Sequence, residues 1–313
     1  MTLHAGDLAA CTLGEGDYHY GTGALANSLH ASGFRGILYI GYRGELPHWA
    51  DAREALELPG GMRLSFVQVD AGLNPNFQKA TFMLRLMSEH PEHRAIAYFD
   101  SDVVVTASWG FFEDWSTRGV GLCMDMVAIV PEQHPWRLAW RDLATSIGME
   151  TRPLDYYCNG GFALVPREHQ DFLQLWRRSV EAVLESLAVP GSAGSVKFGD
   201  VESPFHRSDQ DALAMAMMAT SAPLSVVGPD GMSFVPGLNL MTHALFHPKP
   251  WHRRYLVEAL QGKPPVLAHR EYWKHVRAPL ALFGGGLPRQ AWGLRLATVV
   301  GSVFRRPRFW GAD

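Results

Sequence analysis

The sequence predicts an α/β protein in which a mostly parallel β-sheet is covered by helices on both faces. Two observations lead to this fold class. In the first two-thirds of the 313 residues, short apolar runs alternate with segments whose apolar residues recur at helical spacing, which is the pattern of successive βαβ units. The composition, with 47% hydrophobic and 19% charged residues, is typical of a globular chain with a sizeable core.

The first four strands follow from this alternation. We predict strands at 8–13 ("LAACTL"), 36–42 ("GILYIGY"), 64–69 ("LSFVQV") and 94–100 ("RAIAYFD"). We predict helices between them at 23–33, 46–58 and 76–90. Open sheets of this kind bind ligands at the carboxyl ends of their strands, and Thr12 and Asp100 lie at two such ends.

Beyond residue 102 the alternation is less regular. We predict further strands at 119–130 and 159–166, and helices at 135–148, 168–187 and 208–219. The last of these begins with a serine and acids, as expected near a helix N-terminus. A boundary near Gly262 would divide the chain into an α/β domain, 1–262, and a C-terminal extension, 263–313.

The net charge of −3 hides an asymmetry. The extension carries nine Lys and Arg against two acids, a balance of +7, so the remainder carries −10. An acidic domain disfavours nucleic acid as a partner, whereas the basic extension indicates an anionic partner.

The cysteines and the apolar segments indicate the cellular compartment. Cys11, Cys123 and Cys158 are odd in number and widely spaced, which indicates buried cytosolic thiols rather than a disulfide framework or a zinc site. The first ten residues lack the pattern of a signal peptide, and the longest charge-free run is interrupted by Pro and Gly. We therefore expect no signal peptide and no membrane-spanning helix.

Two Asp-x-Asp tripeptides raise the question of a metal site. Asp100 and Asp102 follow a buried strand and project from its carboxyl end, whereas Asp209 and Asp211 open a predicted helix. In extended chain, residues two apart point to the same side, so the first pair can face one ion. Hard oxygen donors suit Mg²⁺ or Mn²⁺, which can bridge phosphate oxygens. The alternative is a solvated loop.

The segment "MTHALFHPKPWHRR" supplies further candidates for that site. His243 and His247 are candidate imidazole ligands, and Lys249 is a candidate phosphate contact. The His-x-x-x-His spacing lacks the Glu of a zinc-protease helix, and the prolines that follow would disrupt a helix there.

Six segments in order, covering about residues 8 to 255, resemble the motifs of the retaining GT-A glycosyltransferases of family 8, which includes glycogenin and bacterial lipopolysaccharide galactosyl- and glucosyltransferases. They are "TLGEGDYHYGTGALANSL", "FQKA", "YFDSDVVV", "YYCNGGFALV", "SDQDALAM" and "HALFHPKPWH". The resemblance implies a GT-A fold, which is a Rossmann-like, mostly parallel sheet flanked by helices. It also implies transfer of a hexose from a UDP-sugar to a glycan or lipid-linked acceptor, with retention of anomeric configuration.

The resemblance also implies roles for individual residues. The metal ligands would be Asp100, Asp102 and His243, holding Mn²⁺ (or Mg²⁺) against the diphosphate. Asp209 and Gln210 would lie beside the reacting anomeric carbon. The donor-binding residues would be Thr12, Tyr20, Lys79, Ser101, Asn159, Gly161 and Lys249. Tyr18 competes with Tyr20 for stacking on uracil, since this loop is one residue longer than in the family.

Two departures from the family pattern bear on the site. Phe246 stands where the family usually places a glycine close to the phosphate, which would push the loop away or leave metal binding to His247. Cys158 replaces a frequent aromatic, a change we attribute to packing. Phe246 also keeps open a second interpretation, a nucleotide-sugar-binding protein that has lost catalysis.

Other segments allow different interpretations. "GTGALA" (21–26) formally fits the dinucleotide fingerprint of NAD-dependent oxidoreductases, but about seven residues separate it from the preceding strand, where a tight turn is required. Trp136 and Trp140 are candidate stacking residues for acceptor sugars, or core residues on a helix face. The basic, aromatic extension suits peripheral attachment to an anionic membrane at its cytoplasmic face, or packing on the domain with its charges solvated.

Overall fold

A computed structural model of the chain describes residues 7–51, 53–70, 72–187, 203–284, 286 and 288–304. Its main sheet has eight strands in the order β3-β4-β2-β1-β5-β8-β7-β9. The strands are β1 (Leu8–Glu15), β2 (Ile37–Arg43), β3 (Ala55–Glu57), β4 (Arg63–Gln68), β5 (Ala95–Phe99), β7 (Val120–Ile129), β8 (Tyr156–Pro166) and β9 (Leu224–Val227). A separate antiparallel pair joins β6 (Val103–Val105) to β10 (Met241–His243).

The sheet is mostly parallel at its centre. The four strands β4, β2, β1 and β5 run parallel to one another, while β8 runs antiparallel to both β5 and β7, and β3 runs antiparallel to β4. The antiparallel entry of β8 matters for function, because it brings the beginning of β8 beside the end of β5.

Helices cover both faces of the sheet, as the fold class requires. They are α1 (His19–Ala31), α2 (Lys79–Glu89), α3 (Trp109–Trp115), α4 (Pro135–Ser146), α5 (Gln170–Ser186), α6 (Ser208–Ala219), α7 (Tyr255–Leu260), α8 (Leu267–Lys274) and α9 (Arg289–Phe304). One buried cluster packs α1, α3, α8 and α9 on one face, and a second packs α2, α4, α5 and α6 on the other. Alternate residues of β1 point into the two clusters, Ala10 into the first and Cys11 into the second.

One predicted helix is wrong. Among the described residues of 46–58 the structure has a single turn, His48–Ala50, followed by the edge strand β3. Asp51 takes a left-handed conformation (φ 53°) that ends the turn. The apolar spacing of this segment also suits a helix, but residues 55–57 pair instead with β4, whose backbone N–H and C=O groups would otherwise lack strand partners on that edge.

The described part of the C-terminal extension packs on the domain. The side-chain amide of Asn27, in α1, donates to the carbonyls of His275 and Leu280 at 2.7 and 2.9 Å and accepts from the Leu280 N–H at 2.8 Å. The domain boundary at 262 stays a prediction. All three cysteines are buried, and none of them forms a disulfide. No helix in the described ranges is long and apolar enough to cross a membrane.

Candidate active site

A cleft of about 590 Å³ lies at the carboxyl end of β1 and β5, within the size range of small-molecule sites. The antiparallel pairing of β8 with β5 brings distant sequence motifs together here. Phe99 pairs with Phe162, and the Asp100 N–H donates to the Gly161 carbonyl at 2.8 Å. Most sequence-predicted site residues line the cleft: Lys79, Asp100, Ser101, Asp102, Asn159, Gly161, Asp209, Gln210, His243 and Lys249.

Asp100, Asp102 and His243 form a candidate metal centre. Their ligand atoms all lie within 4.8 Å of one another. His243 Nε2 is 3.1 Å from Asp102 Oδ1 and 3.8 Å from Asp100 Oδ2. The β6–β10 pair produces this meeting, because it sets His243 directly opposite Val103, the residue after Asp102. Two carboxylates and one imidazole fit a hard divalent ion such as Mn²⁺.

The surroundings orient these three side chains. His243 Nδ1 is 3.2 Å from Asn159 Oδ1, and this contact leaves Nε2 facing the carboxylates. Asn159 thus orients the imidazole in the way that an outer-shell partner orients a histidine ligand in metal sites. Lys249 Nζ donates to Asp102 Oδ2 at 2.5 Å and to the Ala244 carbonyl at 2.9 Å. Burial alone would raise the pKa of Asp102, but His243 and Lys249 outweigh burial and hold that pKa well below its usual range. Asp102 is therefore ionised, as a ligand must be.

Lys79 joins the candidate metal centre to the other predicted catalytic segment. Its buried ammonium lies 3.0 Å from Asp100 Oδ1 and 2.9 Å from Asp209 Oδ2, and donates to the Gly160 carbonyl at 3.0 Å. Burial acts to lower the pKa of Lys79, yet the two carboxylates raise it above its usual value. The lysine stays charged and holds two like charges side by side.

Asp125, in β7, is a site residue that the sequence analysis missed. Its buried carboxylate accepts from Asn159 Nδ2 at 2.7 Å, Gln210 Nε2 at 3.1 Å and Arg207 Nη1 at 2.9 Å. Burial would raise the pKa of Asp125, but Arg207 and Asn159 lower it. The signal that could have revealed it is a single acid inside the apolar run 119–130, because a buried carboxylate is rare unless it is partnered.

A continuous chain of polar contacts follows from these distances. It runs from Asp125 through Asn159 and His243 to Asp102, and ends at Lys249. The side-chain carbonyl of Asn159 also accepts from the Gly161 N–H at 2.9 Å. Gln210, which is bound to Asp125 beside this chain, accepts from the Gly160 N–H at 3.1 Å through its own side-chain carbonyl. These side chains are therefore positioned by contacts within the protein.

Two predicted donor contacts lie outside the cleft. Thr12 is fully buried on β1, and Tyr20 stacks on Phe283 with ring centroids 4.7 Å apart. Tyr18 lines the cleft instead, edge-on to Trp251 with Lys249 Nζ 5.8 Å from its ring centre.

The segment before Lys249 keeps the backbone path that a glycine would take. Phe246 adopts a left-handed conformation (φ 66°) that is costly for any residue but glycine. The residue is 64% exposed and lines the cleft. The phenylalanine therefore adopts a backbone conformation that glycine would also allow, and it is largely exposed; its effect on the phosphate loop stays a prediction. His247 lines the cleft as well, but the group of three possible metal ligands in the cleft contains His243 and not His247.

The dinucleotide interpretation fails on position. Gly21 and Gly23 both lie inside α1, not at a turn after β1. Their role is close packing, because a Cβ on Gly21 would lie 2.2 Å from the Ser101 carbonyl oxygen, and one on Gly23 would lie 2.3 Å from Leu282. Trp140 is buried in the core with its indole N–H on the Pro204 carbonyl at 2.6 Å, and neither Trp136 nor Trp140 lines the cleft.

Comparison with known proteins gives the fold a context. The sequence matches no protein-family model and no curated protein. Among solved structures, the bifunctional glycosyltransferase WbbM in its apo form superposes with a TM-score of 0.53 at 13% identity, over 90% of this chain and 51% of that one. An active-site mutant of LgtC superposes with a TM-score of 0.51 at 17% identity, over 91% and 99% of the two chains. The glycosyltransferase GlyE of Streptococcus pneumoniae TIGR4 gives 0.51 at 14% identity, over 96% and 64%.

This chain thus spans about half the length of WbbM, under two-thirds of GlyE and nearly all of LgtC. At these identities the likeness establishes the fold, which is the α/β GT-A arrangement expected from the sequence.

Proposed function

We propose that this protein is a metal-dependent retaining glycosyltransferase, related to family 8, that moves a hexose from a UDP-sugar to a glycan or lipid-linked acceptor. The observation that carries the proposal is the convergence of Asp100, Asp102 and His243, with Lys249 beside them, in the cleft of a GT-A fold. One of the solved LgtC structures is a galactosyltransferase in complex with donor and acceptor sugar analogues.

The residues divide the work of the reaction between them. When bound by Asp100, Asp102 and His243, the divalent ion supplies positive charge to the diphosphate. Lys249, already within 2.5 Å of Asp102, places a second positive charge where the leaving phosphate becomes more negative, which stabilises the transition state electrostatically. Tyr18 offers an aromatic face for the uracil ring.

The sugar end of the cleft is built from Asp209, Gln210 and Asn159. Asp209 accepts hydrogen bonds from sugar hydroxyls, and its charge favours positive charge at the anomeric carbon. Lys79 sets its position. Gln210 and Asn159 are fixed by Asp125, so they orient the sugar without reorganising during the reaction.

The test is calorimetric titration of UDP into the protein with Mn²⁺ and then with EDTA. We expect binding that needs the metal in wild type, loss of that binding in Asp102→Ala, and retention in Asp114→Ala, which removes an exposed acid far from the cleft. No UDP binding under any condition would refute the proposal. A panel of UDP-sugars, assayed for hydrolysis and transfer, then identifies the sugar.

The second candidate is a binding protein without catalysis, which Phe246 at the phosphate loop favours. The backbone of Phe246 opposes this interpretation, because its φ of 66° is a conformation that a glycine at this position would readily adopt. Turnover separates the two functions: metal-dependent UDP binding with no hydrolysis or transfer of any UDP-sugar would favour the binding protein.

We also propose peripheral attachment at the cytoplasmic face of an anionic membrane, near a lipid-linked acceptor. Arg305, Arg306 and Arg308 fall outside the described residues. In α9, Trp292 and Leu296 are four residues apart and 58% and 59% exposed, so they present an apolar stripe on the helix that precedes these arginines in the sequence.

Sedimentation with vesicles tests the attachment. We expect the unmodified 313-residue chain to pellet with phosphatidylglycerol vesicles and not with phosphatidylcholine vesicles. The pair Trp292→Ser and Leu296→Ser should weaken pelleting, while Leu138→Ser, at another exposed apolar position, should not. Equal pelleting of the paired variant and wild type would contradict the role of α9.

A further inference from the structure

A second group of metal-ligating side chains lies at the opposite end of the sheet from the cleft. It consists of His90, Glu92 and His93, in the turn between α2 and β5. Asp100 lies seven positions after His93 and the chain between them is mainly strand, so the two groups are roughly 20 Å apart. One ion cannot serve both, and the donor-site function has no use for this turn.

Two distances within this group are close to those between ligands of a small divalent ion. His90 Nδ1 is 3.3 Å from Glu92 Oε1, and His93 Nε2 is 3.9 Å from the same oxygen. Ligands at about 2.0–2.1 Å in a tetrahedron lie roughly 3.3 Å from one another. The first distance already has this value, and the second differs from it by about half an ångström.

The backbone of the turn is held in place from outside. The Arg167 guanidinium donates to the carbonyls of Met87, His90 and His93, each at 2.7 Å. This clamp fixes two of the three ligand-bearing residues, so little conformational freedom remains to be lost on binding an ion.

The side chains combine a buried anchor with an open approach. The His93 side chain is 3% exposed, and its Nε2 lies 2.9 Å from the Tyr39 hydroxyl; an ion at this nitrogen would replace that hydrogen bond. His90 and Glu92 are 32% and 60% exposed, so an ion and its water ligand reach the group directly from solvent.

We propose that His90, Glu92 and His93 bind Zn²⁺, with water in the fourth position. Two imidazole nitrogens and one carboxylate form a donor set that suits zinc and the neighbouring late transition metals, whereas the cleft, with two carboxylates and one imidazole, suits Mn²⁺ or Mg²⁺. The two centres would therefore select different metals. The zinc centre would tie the end of α2 to the start of β5 and stabilise the folded chain when occupied.

The experiment measures Zn²⁺ affinity by competition with a chromophoric chelator, on the full chain with Asp102→Ala in the background so that the cleft does not compete. Adding His90→Ala or Glu92→Gln should weaken Zn²⁺ binding by more than the roughly 10–100-fold lost when only an outer-shell partner is removed. Glu89→Gln, a neighbouring acid in the same helical turn, is the matched control and should change affinity less than about threefold.

A second readout separates ligation from structural damage. Co²⁺ replacing Zn²⁺ should give a tetrahedral visible absorption spectrum in the Asp102→Ala chain and lose it with His90→Ala. His90→Ala should also leave Mn²⁺-dependent UDP binding of the chain with an intact Asp102 unchanged, which shows that it folds. Zn²⁺ affinity that is the same with and without His90→Ala would overturn the proposal, whatever the outcome at the cleft.

Discussion

Replacing Asp125 by alanine should lower the free energy of unfolding by about 4 kcal/mol. The side chains of Asn159 and Gln210 are nearly fully buried, and each would lose the acceptor for its amide N–H. An unsatisfied buried polar group costs about 1–3 kcal/mol, so two of them cost about 4 kcal/mol. Arg207, whose side chain is 30% exposed, regains water and adds little.

Urea unfolding followed by circular dichroism measures this loss, with the slope m as a check that the change lies in stability. Asp125→Asn keeps an acceptor oxygen at the same place and should lose about half as much. Asp114→Ala, at an exposed position, should stay within about 0.5 kcal/mol of wild type. A loss below about 1 kcal/mol for Asp125→Ala, at unchanged m, would refute the reasoning.

The same variant should impair the candidate metal centre. Asp125 holds Asn159, and Asn159 orients His243. Loss of an outer-shell partner typically weakens metal binding by about 10–100-fold. We expect a loss at the lower end for Mn²⁺-dependent UDP binding by Asp125→Ala, measured calorimetrically at a temperature where the variant is folded. Unchanged affinity would show that His243 is positioned without this chain of contacts.

Three further predictions follow from local geometry. Gly161→Ala should weaken Mn²⁺-dependent UDP binding at least tenfold, roughly the loss of an outer-shell partner, because the new Cβ would lie 2.5 Å from His243 Cε1. Asp211→Asn should stabilise the protein at pH 8 but not at pH 4, because burial raises the Asp211 pKa to about 7. Between about pH 4 and 7 the folded state therefore binds more protons than the unfolded chain. The free energy of unfolding falls as pH rises through this window, by up to about 4 kcal/mol. Phe246→Gly should be about 1 kcal/mol more stable than Phe246→Ala, since φ there is 66°.

Controls for these three come from the chain itself. Gly160→Ala places its Cβ 3.4 Å from the nearest atom, an ordinary contact, and should leave UDP binding near wild type; an equal loss in both glycine variants would contradict the steric argument. Equal stabilisation by Asp211→Asn at pH 4 and 8 would show that its charge is not the cause. At Phe246 the glycine variant is expected to be more stable than the alanine variant, which is the reverse of the usual difference. A more stable alanine variant would mean that residue 246 leaves the left-handed region in solution.

Much of the fold followed from periodicity in the sequence. β1, β2, β4 and β5 lie within a residue or two of their predicted positions, because each is an apolar run flanked by polar or glycine residues that end it. The prediction for 46–58 was wrong because the apolar spacing of this segment suits a helix, whereas its structure depends on pairing with the edge of β4, a later segment of the chain. β6 and β10 were missed for a similar reason, since each has three residues and is defined only by its partner.

The candidate site divides in the same way. The sequence by itself determined the residue types and their order along the chain: Asp100 and Asp102 at a strand end, Asn159 to Gly161, Asp209 and Gln210, and the histidine and lysine after residue 240. Local spacing and residue chemistry are enough for that, because an apolar strand that ends in two carboxylates can be recognised within one short stretch of sequence.

Only the tertiary structure decided which of these groups meet. Antiparallel pairing of β8 with β5 sets Gly161 against Asp100, and the two-stranded β6–β10 pair selects His243 for the metal group. The structure also turns Tyr18 to the cleft and Tyr20 to Phe283, and it recruits Asp125 from the middle of a strand. These choices depend on contacts between residues tens to more than a hundred positions apart, and a hydrogen bond at that separation leaves no period in the sequence.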